Sequence, residues 1–203
     1  MAGTGVVLFG FVVAHMAGNL QIYLGPTALN AYAVFLREVL HGAGLWIARA
    51  VLLAAAVLHV WAAVSLTRLD LAARPVEYRQ WRAAEATYAS RSMRWTGFIL
   101  LAFIVYHLLD LTFGTLNPRF VEGDVYGNVV RSFRVVPVAV FYVVAMGILG
   151  MHLKHGTLSM LRTLGLSHPR HQAIAGRLLT VIVGLTIVAN MSFPVAVLLG
   201  VVR

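Results

Sequence analysis

The sequence predicts an all-α membrane protein, a bundle of five transmembrane helices forming one domain over 1–203. Three observations predict it. Of 203 residues, 60% are hydrophobic and 11% charged, where soluble domains carry about a quarter charged residues. The mean hydropathy is +0.83. Five apolar runs, at roughly 3–24, 45–67, 95–115, 135–158 and 175–200, come close to or exceed the ~20 residues that a helix needs to cross a bilayer core.

The first run is too long for a signal peptide and lacks a basic lead and an A-x-A-like cleavage site. The longest connection, about 68–94, is charged, and its stretch EYRQWRAAEATY has the pattern of a short amphipathic helix. Between the third and fourth runs, 117–134 contains NPRF, EGD and YGN, which read as turns. No repeat recurs at a fixed short period, and no soluble domain remains once the five runs are removed.

The chain has no cysteine. Disulfides, thiolate chemistry and iron–sulfur clusters held by this chain are therefore excluded. Any metal must be held by nitrogen, oxygen or a Met thioether.

The formal charge of +9 is a topology signal. Arg68, Arg74, Arg79, Arg82, Arg91 and Arg94 lie in the 2–3 connection, and Lys154, Arg162, Arg170 and Arg177 around the 4–5 connection. Arg37, Arg49, Arg119, Arg131, Arg134 and Arg203 fall on the other side, with Glu38, Asp110, Glu122 and Asp124. Basic loops stay in the cytoplasm, so the N-terminus is expected inside and the C-terminus outside. A nucleic-acid footprint would be a basic stripe interleaved with aromatics on a soluble surface, and no nucleic-acid partner is expected.

Of eight histidines, four stand one on each of the first four runs: His15, His59, His107 and His152. Ionisable groups at membrane depth are costly and usually functional. Helices 1 and 3 run outward, and His15 and His107 each lie ~18 Å along them at 1.5 Å per residue. Helices 2 and 4 run inward. His59 comes nine residues before Arg68 and His152 two before Lys154, which places both in the inner half. Two levels with two imidazoles each is the arrangement required by two stacked bis-histidine haems, whose axial positions are filled by protein ligands. The plainer reading gives each histidine a hydrogen bond to a neighbouring helix. Small residues flank the four: Gly18 one turn after His15, Ala55, Ala56, Ala62 and Ala63 around His59, Gly147 and Gly150 before His152. They make room for a haem or simply let helices pack. Met16, Met151 and Met191 are read as packing.

HMAGNL followed by LNAYAVFLRE resembles the first helix of the cytochrome b subunit of succinate dehydrogenase and fumarate reductase, in the five-helix, two-haem branch. SRSMRWTGFILLAFIVYHLLDL is similar to that family's third helix. The resemblance covers all five runs, and the histidine spacings of 44, 48 and 45 residues fit it.

The resemblance implies two haems b, an outer one held by His15 and His107 and an inner one held by His59 and His152. Arg91, Ser92, Arg94 and Trp95 at the inner mouth, with Lys154 and His155 from helix 4, become candidates to hold haem propionates through charge-assisted hydrogen bonds. The partners implied are a flavoprotein and an iron–sulfur subunit on the cytoplasmic side of a bacterial inner membrane, together with membrane lipid and a quinone. His168, Pro169, Arg170 and His171 form a basic loop for docking. Two-haem members generally serve menaquinone, at a site near the outer haem. Glu38, which follows helix 1 by a short loop, is the candidate proton exchanger there, with Gln21, Asn30, Tyr32 and His41 nearby. The plainer reading has Glu38 solvated or paired with Arg37. Asp110 either accepts a hydrogen bond from a ligand's second nitrogen or marks where the helix reaches water. A higher oligomer of the complex stays open.

Two departures stand out. Some two-haem fumarate reductases carry a Glu two residues before the fourth ligand, as a transmembrane proton path; here that position is Gly150, which favours succinate oxidation. Relatives also have a polar, Lys-containing lead before the first helix, whereas this sequence starts MAGTG; either the start lies upstream or the lead was lost. Two other classes compete. Anchors of nitrate reductase or formate dehydrogenase place two ligand histidines on one helix, a pattern not seen here. A haem-free transporter should show broken helices with midplane polar residues, for which Asn190, Ser192 and Pro194 are the one cluster.

Overall fold

The computed structural model describes residues 1–73, 88–166 and 169–203, with side chains for 1–73, 92–166 and 173–203. The described chain is helical, with five helical runs long and apolar enough to cross a membrane. Helix α1 (Ala2–Asn19) continues as a 3-10 turn to Leu24. The chain turns at Gly25, whose φ of 95° suits a residue without Cβ, into α2 (Pro26–Glu38). A second 3-10 segment, Val39–Gly42, leads into α3 (Ala43–Ala72). Then follow α4 (Tyr88–Leu111), α5 (Val125–Phe133), α6 (Val136–Thr163) and α7 (Pro169–Leu198).

All five expected spans are present, with shifted ends. The third begins earlier and stops at Leu111, and the second and fourth extend to Ala72 and Thr163. Polar residues at these ends stay helical because the i to i−4 ladder continues past the apolar stretch. The stretch EYRQWRAAEATY lies outside the described residues except for its last residue, Tyr88.

Two helices correct the expected loops. The expected short loop before Glu38 is mostly α2. It begins with Pro26 at its first turn, where a missing N–H has no consequence. The turn-rich segment 117–134 contains α5, because Asp124 caps it: its carboxylate accepts from Gly127 N at 3.0 Å. Tyr126, Val130 and Phe133 then share one buried face.

The core gathers where α4, α6 and α7 meet α2 and α5. Ile22, Leu29, Phe103, Val130, Ala139 and Ile187 belong to it. Around Tyr142 the rings of Phe133 and Phe103 stand edge-on at 4.8 and 5.1 Å, a favoured aromatic geometry. Elsewhere the long helices expose large apolar side chains such as Trp46, Leu53, Trp61, Leu185 and Val188, as helices in lipid must.

Helices α2 and α5 are fastened together. The Asn30 amide donates to Asp124 at 3.2 Å and its oxygen accepts from Tyr126 N at 2.9 Å. Arg131 pairs with Asp124 at 3.0 Å. The Tyr126 hydroxyl donates to the Arg203 carbonyl at 3.0 Å, tying in the chain end after α7.

Candidate functional site

The structure brings two of the four span histidines into contact. His15 on α1 and His107 on α4 come together, with ring centroids 6.0 Å apart and planes at 85°. Phe11 stacks on His15 and Phe103 on His107. His59 on α3 instead meets Thr4 of α1, and His152 on α6 meets Thr96 of α4.

Three of the four rings are held by the same device. Nδ1 of His59 lies 3.1 Å from the Thr4 hydroxyl on α1. Nδ1 of His152 lies 3.2 Å from the Thr96 hydroxyl on α4. Nδ1 of His107 lies 3.4 Å from the Tyr142 hydroxyl on α6. Each partner comes from a different helix, so packing of the bundle orients each ring and leaves Nε2 available. His15 differs: its Nε2 lies 3.1 Å from the Asn19 amide, one turn on.

These residues fit a haem. An imidazole nitrogen binds a metal at about 2.0–2.1 Å, and the ring centre lies about 1 Å beyond, so two rings on one iron stand roughly 6 Å apart. His15 and His107 meet that spacing, and Asn19 is the group that must release Nε2. The fixed Nδ1 positions are the outer hydrogen bonds that metal-ligating histidines need. Among the described residues no three His, Cys, Asp or Glu side chains converge on a point. The donor set is thus pairs of imidazoles, which suits a metal already held in a macrocycle.

Over residues 72–191 the chain matches the family described as succinate dehydrogenase/fumarate reductase transmembrane subunit. The chain belongs to that family. The matched region includes His107 and His152, while His15 and His59 precede it. Neither the curated proteins nor the solved structures contain a match. As a transmembrane subunit of these oxidoreductase complexes, the chain is a multi-pass membrane protein that associates with their catalytic subunits.

The small residues are placed differently from the sequence reading. A Cβ on Gly18 would come within 2.6 Å of the Tyr32 ring and hydroxyl, so Gly18 admits Tyr32 of α2. Gly150 faces Ile187 and Gly147 faces Met191, so both serve the α6–α7 contact. The glycines beside the imidazoles are Gly5, near His59, and Gly97, near His152. Sequence reasoning missed these two, together with Thr4, Thr96 and Tyr142. Each glycine directly follows its helix's threonine, TG in both cases, which is a usable signal.

Asp110 does not reach water. It is 2% exposed, and one carboxylate oxygen accepts from Ser132 at 2.7 Å and from Tyr142 at 2.8 Å. Burial is possible because both donors are themselves enclosed.

The candidate propionate holders are scattered in exposure. Arg94 and Trp95 are exposed, Ser92 and His155 half-buried. Lys154 is exposed and lines a groove against α7. The side chains of Arg91, His168, Pro169, Arg170 and His171 lie outside the described ones, and Pro169, Arg170 and His171 begin α7 rather than forming a loop. Among the quinone candidates, Gln21 and Tyr32 are half-buried, Asn30 is committed to Asp124 and Tyr126, and both Glu38, the last residue of α2, and His41, just beyond it, are exposed. Glu38 makes no ion pair with Arg37 among the described residues. His41 and its neighbour Leu40 hold φ of 54° and 53°, a conformation that is unfavourable for bulky residues.

The polar cluster on α7 does not break its helix. The Asn190 amide donates to the Thr186 carbonyl at 2.8 Å, and Ser192 bonds the Ala189 carbonyl and the Tyr23 hydroxyl, both at 2.6 Å.

Proposed function

We propose that this chain is the dihaem cytochrome b anchor of a succinate dehydrogenase in a bacterial cytoplasmic membrane. In this reading it carries electrons from an iron–sulfur subunit to menaquinone or another quinone. The observation that carries the reading is the ring contact of His15 with His107 across α1 and α4, and the positions of His59 and His152, one each on α3 and α6, support a second pair.

Haem would supply one-electron transfer. The chain's own residues do the rest. His15 and His107 bind one group, His59 and His152 the other. Thr4, Thr96 and Tyr142 set ring orientation. Arg91, Ser92, Arg94, Trp95, Lys154 and His155 are the groups from which propionate partners are drawn. Glu38 exchanges the quinone's protons, with Tyr32, Gln21, Asn30 and His41 forming the polar surroundings. Succinate itself is oxidised on a flavoprotein partner that docks, with the iron–sulfur subunit, at the basic end.

Reducing menaquinone with succinate is uphill, because menaquinone has the lower potential of the common quinones. Electrons moving outward let the membrane potential contribute ~2.3 kcal/mol per charge per 100 mV. Gly150 supports the succinate-oxidising direction, since it carries no carboxylate for a compensating proton path. A pyridine haemochrome assay with a reduced-minus-oxidised spectrum tests the proposal. Two b haems per chain, reduced by succinate in the assembled complex, are expected; a chain without haem would refute it.

A further inference from the structure

We propose that Asp110 is a positioning residue for His107: through Tyr142 it holds the imidazole proton on Nδ1 and keeps the haem of the His15–His107 pair at low potential. The inference rests on the dihaem reading above.

The hydrogen bonds run in one direction. The Asp110 carboxylate oxygen is the acceptor of two hydroxyls. Ser132 and Tyr142 both donate to the same Asp110 oxygen, at 2.7 and 2.8 Å. The Tyr142 proton is therefore spent on Asp110, and its oxygen offers only lone pairs to His107 Nδ1, 3.4 Å away. Nδ1 must then be the donor, which leaves Nε2 as the bare nitrogen. The chain reads His107 N–H to Tyr142 O–H to Asp110 carboxylate, and it is buried at its acidic end.

Burial gives the arrangement its effect. In a low-dielectric surrounding a hydrogen bond is electrostatically stronger, and linked bonds polarise one another. The buried acceptor at the end of the chain draws the Nδ1 proton outward and makes Nε2 a stronger electron donor. A stronger axial donor favours the oxidised iron, and hydrogen bonding beyond the ligand is one of the protein's means of setting haem potential. The other pair has no such feature among the described residues. Nδ1 of His59 and of His152 meet threonine hydroxyls, and the Thr96 hydroxyl approaches the backbone carbonyls of Ser92 and Met93. The two haems thus differ in one respect written into the described side chains: among them, a carboxylate stands behind His107 alone.

The test is a redox titration of the assembled complex carrying Asp110→Asn or Tyr142→Phe. Tyr142→Phe keeps the ring that packs on Phe103 and Phe133, so it decides the matter if Asp110→Asn fails to fold. Repeating each in the His59→Ala background identifies the haem that responds. Both variants should retain haem and raise the potential of the His15–His107 haem by about tenfold in the oxidised–reduced equilibrium, 59 mV for one electron. The second haem should stay where it was. Unchanged potentials with both haems bound, or equal shifts in both, would overturn the inference and leave the dihaem reading standing. Absence of haem from the unaltered chain would instead overturn the reading beneath it.

Discussion

The Thr96 hydroxyl lies 3.2 Å from Nδ1 of His152, on a different helix and fifty-six residues away. Thr96 is 5% exposed, so little else can replace it as a partner. The same relation joins Thr4 to His59 at 3.1 Å.

Removing either hydroxyl at constant shape should loosen the ring. Thr96→Val or Thr4→Val is expected to weaken retention of the haem held by His59 and His152 by 10–100-fold, as losses beyond the first ligands typically do. Haem dissociation to an apo-globin acceptor measures it. Retention at the wild-type level in both variants would show that the hydroxyls do not position the rings.

Gly18 separates two explanations of one small residue. With Tyr32 2.6 Å from the position of an added Cβ, Gly18→Ala should push α2 away and cost about 1–3 kcal/mol, the usual range for overpacking. Adding Tyr32→Ala should recover part of that loss. Gly10→Ala, with open space around it, should be neutral or slightly stabilising. Thermal unfolding in detergent reads all three.

Asp124 gives the end of the bundle carrying α2 and α5 a pH dependence. The backbone N–H of Gly127, then the Arg131 and Asn30 side chains, hold its carboxyl below the ordinary carboxylate value, against some opposing desolvation. A group with a lowered native pKa contributes fully above its unfolded value, about 3.9, and loses that contribution as pH falls through the native value. Stability should therefore be flat from neutral pH to about 5 and fall in acid. Asp124→Ala should remove this component and cost about 0.5–2 kcal/mol at pH 7, as lost helix caps do. Unfolding curves taken from pH 7 to pH 3 check both; an identical acid limb in the variant would assign it to other carboxylates.

Glu38 is exposed and unpaired with Arg37. As proton exchanger it should be replaceable by Gln without loss of haem or of haem reduction by succinate. Quinone reduction should fall by about 10²-fold, the lower range for general acid–base catalysis. Stopped-flow spectra separate the two steps. Unimpaired quinone turnover in Glu38→Gln would move the proton site elsewhere.

How far the sequence could be read follows from which forces were local. The spans were legible because about twenty apolar residues have one low-energy arrangement in lipid. The His15–His107 pairing was legible because both helices run outward and depth along each follows from 1.5 Å per residue. Helix α2 was not, although Pro26 at a first turn and Leu29, Ala33 and Leu36 at helical spacing marked it. Helix α5 was hidden by Gly127, which reads as a turn until Asp124 is seen as its cap. The role of Gly18 stayed open because its partner, Tyr32, arrives from another helix. Asp110 looked like a residue at the water boundary because Ser132 and Tyr142, which enclose it, come from α5 and α6. Pairing across helices is a property of the packed bundle, and no single segment carries it.

The central claim is that the histidines act as two pairs. Haem content of the purified chain and of four single variants tests it most directly. The account predicts two b haems per chain, with His15→Ala and His107→Ala each losing the same one and His59→Ala and His152→Ala each losing the other. A chain without haem, or variants whose losses cross between the pairs, would contradict it.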